Sequence, residues 1–122
     1  MSDYFAPTRD MQFVINELVG LDKLSALPGF EEVSPDLVEA VLEEAGKLAG
    51  QVLAPLNQSG DRQGARLTDQ GVVAADGFGE AYQQYVEGGW NGLGAPTEFE
   101  GQGLPELLNT PTHEMWNAAN MA

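Results

Sequence analysis

The longest regular hydrophobic pattern runs from residue 37 to residue 53. Leu37, Val38, Val41, Leu42, Ala45, Leu48, Ala49, Val52 and Leu53 recur with a period of about 3.6, which places them along one face of an α-helix. Glu39, Glu43, Glu44 and Lys47 take the other face, with Glu43 and Lys47 four apart in the favourable orientation. Ser34-Pro35-Asp36 supplies the start: a hydroxyl cap, proline at the first helical position and an acid in the positive first turn. Pro55 predicts a kink or an end, with a brief resumption before Gly60. Gly46 and Gly50 each weaken a helix by about 1 kcal/mol relative to alanine. They therefore mark places where a neighbouring helix packs closely.

A shorter stripe precedes this seam. After an extended lead-in over residues 1–8, Met11, Val14, Ile15 and Leu18 recur at helical spacing, with Thr8 or Asp10 as the cap and Gly20 at the carboxyl end. A turn of helix around Leu21–Ala26 carries Leu21 and Leu24, and Leu27-Pro28-Gly29-Phe30 reads as a turn that tucks Phe30 inward. Residues 60–76 are polar and glycine-rich around Leu67, Asp69-Gln70-Gly71 and Val72-Val73, a small β-hairpin or irregular excursion that must lean on the helices. Gly77–Glu87 returns to helix, burying Phe78, Ala81, Tyr82, Tyr85 and Val86.

Residues 88–105, from Gly88-Gly89-Trp90 to Gly103-Leu104-Pro105, break the periodicity. Such dense glycine specifies backbone geometry: positive φ, or close approach of another segment. Pro96 and Pro105 fix φ on either side, and Trp90 and Phe99 bring apolar area that seeks burial. The stretch predicts an ordered, non-repetitive loop pinned by these two aromatics. A last helix follows from about Pro105 or Thr110, with Leu107, Leu108, Met115, Ala118 and Ala119, and reaches Ala122 in mid-pattern. The fold class is mainly α, an orthogonal or up-down helical domain with a small β-hairpin or irregular excursion near 60–76.

Composition narrows the partners. The 122 residues carry nineteen acids against five bases, a net charge of −14, which repels nucleic acid and anionic membrane. A hydrophobic content of 43% argues for a globular chain. With no cysteine there is no disulfide framework and no thiolate chemistry. No secretory signal is visible, and no apolar stretch approaches the roughly 18–20 residues that span a bilayer. Together these features predict a soluble cytoplasmic domain.

The candidate chemistry is sparse. His113-Glu114 begins a zinc-protease motif, but position 117 is asparagine where the second histidine belongs. The glycine loop lacks the Gly-Lys-Ser/Thr of a P-loop and the strand–loop–helix setting of a dinucleotide fingerprint. Among so many acids, solvated glutamates are the default over a general base. Trp90, Phe99 and Trp116 fit core packing better than pocket walls. No catalytic, cofactor-binding or metal-binding residue is assignable.

Pro96-Thr97-Glu98-Phe99-Glu100-Gly101-Gln102-Gly103 resembles the loop near the end of the amino-terminal helical domain of acyl-CoA dehydrogenases, a Pro-x-Glu-aromatic-Gly-Gly-x-Gly pattern. The resemblance continues through Ala6–Met11, Leu27–Phe30, Val52–Asn57 and Glu114–Met121, essentially the whole chain. It is similar to the bacterial subgroup with an added amino-terminal helix that includes 3-methylthiopropionyl-CoA dehydrogenases. One departure stands out: Glu100 occupies a position usually held by glycine, where positive φ would strain it.

The resemblance implies a division at residue 32: a helical extension over 1–32 and the family's amino-terminal helical domain over 33–122. It implies a complete enzyme with FAD and acyl-CoA, in which a glutamate takes the α-proton and the flavin accepts a hydride from the β-carbon. The catalytic glutamate, the β-domain and the carboxyl-terminal bundle belong to regions that these 122 residues do not match. The chain then looks like a fragment, inactive alone and without its own FAD, and a homo-oligomer only in the complete enzyme. An acidic surface repels acyl-CoA phosphates, so their cationic contacts are expected elsewhere in the protein. Trp90, Pro96, Glu98, Phe99, Gly101 and Gly103 would be structural loop residues, with Glu98 hydrogen-bonding locally. Asn120 and Met121 would stand at the wall of the substrate cavity. The electron acceptor is not specified. The alternative is a non-catalytic helical module that docks on a partner through an exposed apolar surface.

Overall fold

The computed structural model describes residues 4–122, so the lead-in is described only from Tyr4 onwards. Among the described residues there are six α-helices and one two-stranded hairpin: α1 (Thr8–Phe13), α2 (Leu21–Ser25), α3 (Pro35–Leu48), α4 (Ala54–Gln63), β1 (Arg66–Thr68), β2 (Gly71–Val73), α5 (Phe78–Glu87) and α6 (Glu106–Ala119). The fold is mainly α, as the periodicity predicts.

The α3 seam forms the centre. The Ser34 hydroxyl accepts a hydrogen bond from the Leu37 N–H at 3.2 Å, the cap expected from Ser-Pro-Asp. Val38, Leu42, Ala45 and Ala49 are sealed against Leu108, Met115 and Ala119 of α6, and α1 lies on α3 beside them. Lys47 bridges both Glu43, at 3.1 Å, and Glu44, at 2.7 Å, on the solvated face. At that exposure such pairs contribute little.

The helix does not stop at Pro55. Residues Ala49–Leu53 form a π-helical segment, and α4 then runs through Gly60 to Gln63 with Pro55 in its first turn. A proline lacks the N–H that an unbroken ladder requires, and a wider turn ahead of it accommodates the loss. Gly46 and Gly50 are approached mainly by the lead-in rather than by a neighbouring helix. The Ala6 methyl lies 3.2 Å from where a Cβ on Gly46 would stand, and the Tyr4 carbonyl oxygen lies 2.9 Å from that of Gly50.

The first helix departs from its predicted stripe. Pro7 occupies the cap position, and neither Thr8 nor Asp10 caps through its side chain. Beyond Phe13 the chain continues as a π-helix, Val14–Val19, ended by Gly20 in the left-handed region at φ 83°. Met11 and Ile15 are buried, but the wider turn leaves Val14 and Leu18 outside, the latter 70% exposed.

Three further expectations need correction. The hairpin forms, yet every strand residue is exposed and it does not lean on the helices. Its tie to α4 is a hydrogen bond from the Asp76 N–H to the Gln63 side-chain oxygen at 2.9 Å. Tyr82 and Val86 of α5 are exposed, not buried. Finally, α6 does not run to the last residue: it ends at Ala119, with Asn120 extended at φ −151°.

Candidate functional site

The glycine loop folds back on itself through its backbone. Two 3-10 turns, Trp90–Gly92 and Thr97–Phe99, shape its arms. Across them the Gln102 N–H donates to the Gly92 carbonyl at 2.9 Å, Gly103 N–H to Ala95 at 2.9 Å, and Leu104 N–H to Leu93 at 3.0 Å. The Gln102 side-chain amide donates to the Gly89 carbonyl at 3.0 Å. This mutual pairing brings the arms so close that a Cβ on Gly101 would overlap the Ala95 carbonyl group, so glycine there is a steric requirement. Glu100 sits at φ 63°, the single non-glycine residue with positive φ among the described residues. The conditional strain at that position is therefore present.

Of the two loop aromatics, only Trp90 is an anchor. It packs edge-on to Trp116 of α6, with ring centroids 5.4 Å apart, whereas Phe99 is 74% exposed. Pro96 and Glu98 are exposed on the same turn, and among the described residues the Glu98 carboxylate takes part in no hydrogen bond. Gly103 is in the left-handed region at φ 65°.

Trp116 carries the loop's packing into a groove. Its ring meets Tyr85 edge-on at 5.8 Å, and Tyr85 stacks on Tyr82 at 6.3 Å. These rings, with Phe78, Leu53 and Leu56, surround a groove of about 370 Å³ between α4, α5 and the end of α6. No acidic or basic side chain lines it; Asn117, Asn120 and Met121 complete it. Burial, and then the neighbouring Tyr82, hold the Tyr85 phenol above its ordinary pKa, and a phenol is neutral near pH 7 even without that shift.

Asn120 and Met121 both line this groove, and hydrogen bonds hold them in place. The Asn120 side-chain amide donates to the Leu53 carbonyl at 2.9 Å, and the Asn57 side-chain oxygen accepts the Met121 N–H at 3.0 Å. Sequence reasoning missed Phe78 and the Tyr82–Tyr85 pair as groove residues, and Asn57 as the side chain that holds Met121 beside it. The spacing of 78, 82 and 85 along one helix was the available signal, but it reads equally as core.

Other features give less. An open depression of about 680 Å³ between α3 and α5 is of mixed character, lined by Glu44, Lys47, Gln51, Gln84 and Glu87 and by the apolar Val41, Leu48, Val52 and Trp90. Among the described residues no group of three histidine, cysteine or acidic side chains can hold a metal, and His113 and Glu114 are exposed. No described helix is long and apolar enough to cross a membrane.

A helical domain with a glycine loop braced on a neutral aromatic groove matches one class of protein by sequence: the homologues of this chain are acyl-CoA dehydrogenases. It is 40% identical over 119 residues, 98% of the chain, to the 3-methylmercaptopropionyl-CoA dehydrogenase of Ruegeria pomeroyi. It is 27% identical over 124 residues, 100% of the chain, to the broad-specificity linear acyl-CoA dehydrogenase FadE5 of Mycobacterium tuberculosis. It is 25% identical over 125 residues, 99% of the chain, to the butyryl-CoA dehydrogenase of Syntrophomonas wolfei. The chain spans 20% of the length of each of these relatives. No protein-family model matches the sequence.

Proposed function

We propose that this chain is the amino-terminal helical domain of a cytoplasmic, flavin-dependent acyl-CoA dehydrogenase, with residues 1–32 as an added extension and 33–122 as the domain proper. Its role is positioning and water exclusion: it supplies one wall of the cavity in which the acyl thioester and the flavin meet. One observation carries the reading: the neutral, aromatic-walled groove of about 370 Å³ lies at Asn120 and Met121, where the family resemblance puts the cavity. An uncharged wall suits an acyl chain and excludes the water that would compete for its reacting carbons.

When bound, FAD supplies the hydride acceptor for α,β-dehydrogenation. The residues of this chain do not fit it as a complete site, because its diphosphate demands cations or free backbone amides. No lysine or arginine lines the groove, and the Gln102, Gly103 and Leu104 amides of the loop are spent on its own carbonyls. No catalytic step follows from this chain alone. What its residues do is bind and shield: Trp116, Tyr85 and Phe78 give apolar surface, and the Asn120–Leu53 bond fixes the direction in which the chain leaves α6.

Titrating the purified chain into FAD while following flavin fluorescence tests the division of labour. The expected result is no stoichiometric quenching; tight uptake by the chain alone would overturn the reading of it as a wall. A second reading, a non-catalytic interaction module, draws on the apolar side chains left at the surface, Phe13, Leu67 and Phe99 among them. Concentration-dependent association in sedimentation favours it, and a monomer silent towards ANS counts against it.

A further inference from the structure

Leu107, Pro111 and Glu114 lie on a different face of α6 from Trp116, about half a turn away around the helix axis. There α6 and the first helix enclose a second groove, of about 390 Å³. Met11, Val14 and Val19 form one wall, and Leu107 and Pro111 form the other. Ile15, only 3% exposed, belongs to both the groove and the core, which makes the base rigid. Val14 and Val19 are 45% and 47% exposed, so the groove is open.

Charge distinguishes this groove from a bare apolar patch. Asp10 stands on the α1 wall and Glu114 on the α6 wall. Among the described residues the ion pairs are those of Lys47 with Glu43 and Glu44, so neither rim acid forms an ion pair there, Arg9 beside Asp10 included. Burial and then the nearby Glu114 charge raise the pKa of the Tyr4 phenol.

An apolar trench between two unpaired carboxylates selects an apolar ridge with cationic flanks. We propose that this groove docks an amphipathic helix of a partner polypeptide, with aliphatic anchors on one face and lysine or arginine on both sides of them. This is helix-in-groove recognition, in which the anchors supply affinity and the rim charges supply orientation. The chain's net charge of −14 attracts such a helix and opposes a second copy of itself. The inference is independent of the cavity-wall reading, because the two grooves share no lining residue.

The test uses a labelled synthetic helix of roughly 14 residues, about four turns, with leucine anchors flanked by lysine, and its counterpart with glutamate for lysine. Fluorescence anisotropy with the 122-residue chain should show the lysine helix binding at least about tenfold more tightly than the glutamate helix. Val14→Asp adds charge of the attractive sign but spoils the trench, and should weaken the lysine helix about tenfold or more. Asp10→Asn combined with Glu114→Gln should weaken it several-fold. Val14 is exposed, so the fold should survive substitution; Val19→Asp is the second variant if circular dichroism shows otherwise. Undiminished binding to folded Val14→Asp would mean that bulk charge alone holds the peptide, and would overturn the proposal. So would failure of both helices to bind, or self-association of the chain that Val14→Asp abolishes.

Discussion

The hairpin at residues 66–73, with its single Gly71, and the glycine-dense loop at residues 88–105 both connect helices, yet they use glycine for different purposes. The hairpin pairs with itself, Leu67 opposite Val72, and leaves these side chains 85% and 73% exposed. Its turn is closed locally: the Thr68 hydroxyl donates to the Gly71 carbonyl at 2.8 Å and accepts the Gln70 N–H at 3.2 Å. Gly71 stands at φ 110° with nothing within 4 Å of where a Cβ would be, so its demand is purely dihedral. In the loop the demand is for room. Gly101 has Ala95 backbone pressed against it, while Leu93 and Trp90 join the loop to the core. Local composition alone does not separate these two demands; a methyl group does.

Gly101→Ala should be the most damaging change. The added methyl meets backbone, and the carbonyl it displaces is the acceptor for Gly103 N–H, so relief of the clash breaks the loop's own pairing. A loss of at least about 3 kcal/mol is expected, of the kind tied to overpacking. Thermal denaturation should show a fall of roughly 10 °C or more. A shift no greater than that of a surface substitution would mean that the two arms are not locked together. Gly71→Ala should cost less, about 1–2 kcal/mol, because only the dihedral is strained. That loss should appear first as faster amide exchange at the hairpin, since the segment can open without the core. Equal global losses for both variants would erase the distinction.

The helical frame was legible because its evidence is periodic. Val38, Leu42 and Ala45 repeat without interruption, and Ser34-Pro35 announces their start. The errors cluster where the period changes. Two π-helical segments, Val14–Val19 and Ala49–Leu53, shift the phase of everything beyond them, so Leu18 turns outward and α4 continues past Pro55. A pattern search at a fixed 3.6-residue period has no means of anticipating a wider turn. The groove was half legible. Asn120 and Met121 came from the resemblance, but the pairing of Asn120 with Leu53 spans 67 positions, and nothing local encodes it. Phe99 misled for a plainer reason: an aromatic ring next to glycines invites burial, and here the turn directs it to solvent.

Glu100 offers a change in the opposite direction. It sits at φ 63°, ψ 18°, immediately after the Thr97–Phe99 turn, in a conformation that glycine adopts without a Cβ penalty. Glu100→Gly should raise stability by about 0.5–1 kcal/mol, the relief of left-handed strain less the extra flexibility gained by the unfolded chain. Urea denaturation should show a higher midpoint at an unchanged slope. Destabilisation instead would mean that the Glu100 side chain contributes more to the loop than its backbone costs.

The smallest effect expected is also the most direct probe of how the hairpin is held. Leu67→Ser removes an aliphatic side chain that is 85% exposed, so almost no buried area is lost. With the strand still pairing through its backbone, the change should stay within about 0.5 kcal/mol. The same truncation at Leu42, fully buried in α3, removes contacts on every side and should cost several kcal/mol by cavity formation, on the order of 2–5 for Leu→Ala. If Leu67→Ser were to cost more than about 1 kcal/mol, the hairpin's apolar side chains would have to be covered by something in solution. The contrast between a self-contained hairpin and a core-anchored loop would then fail at the hairpin, since only a covered Leu67 has contacts to lose.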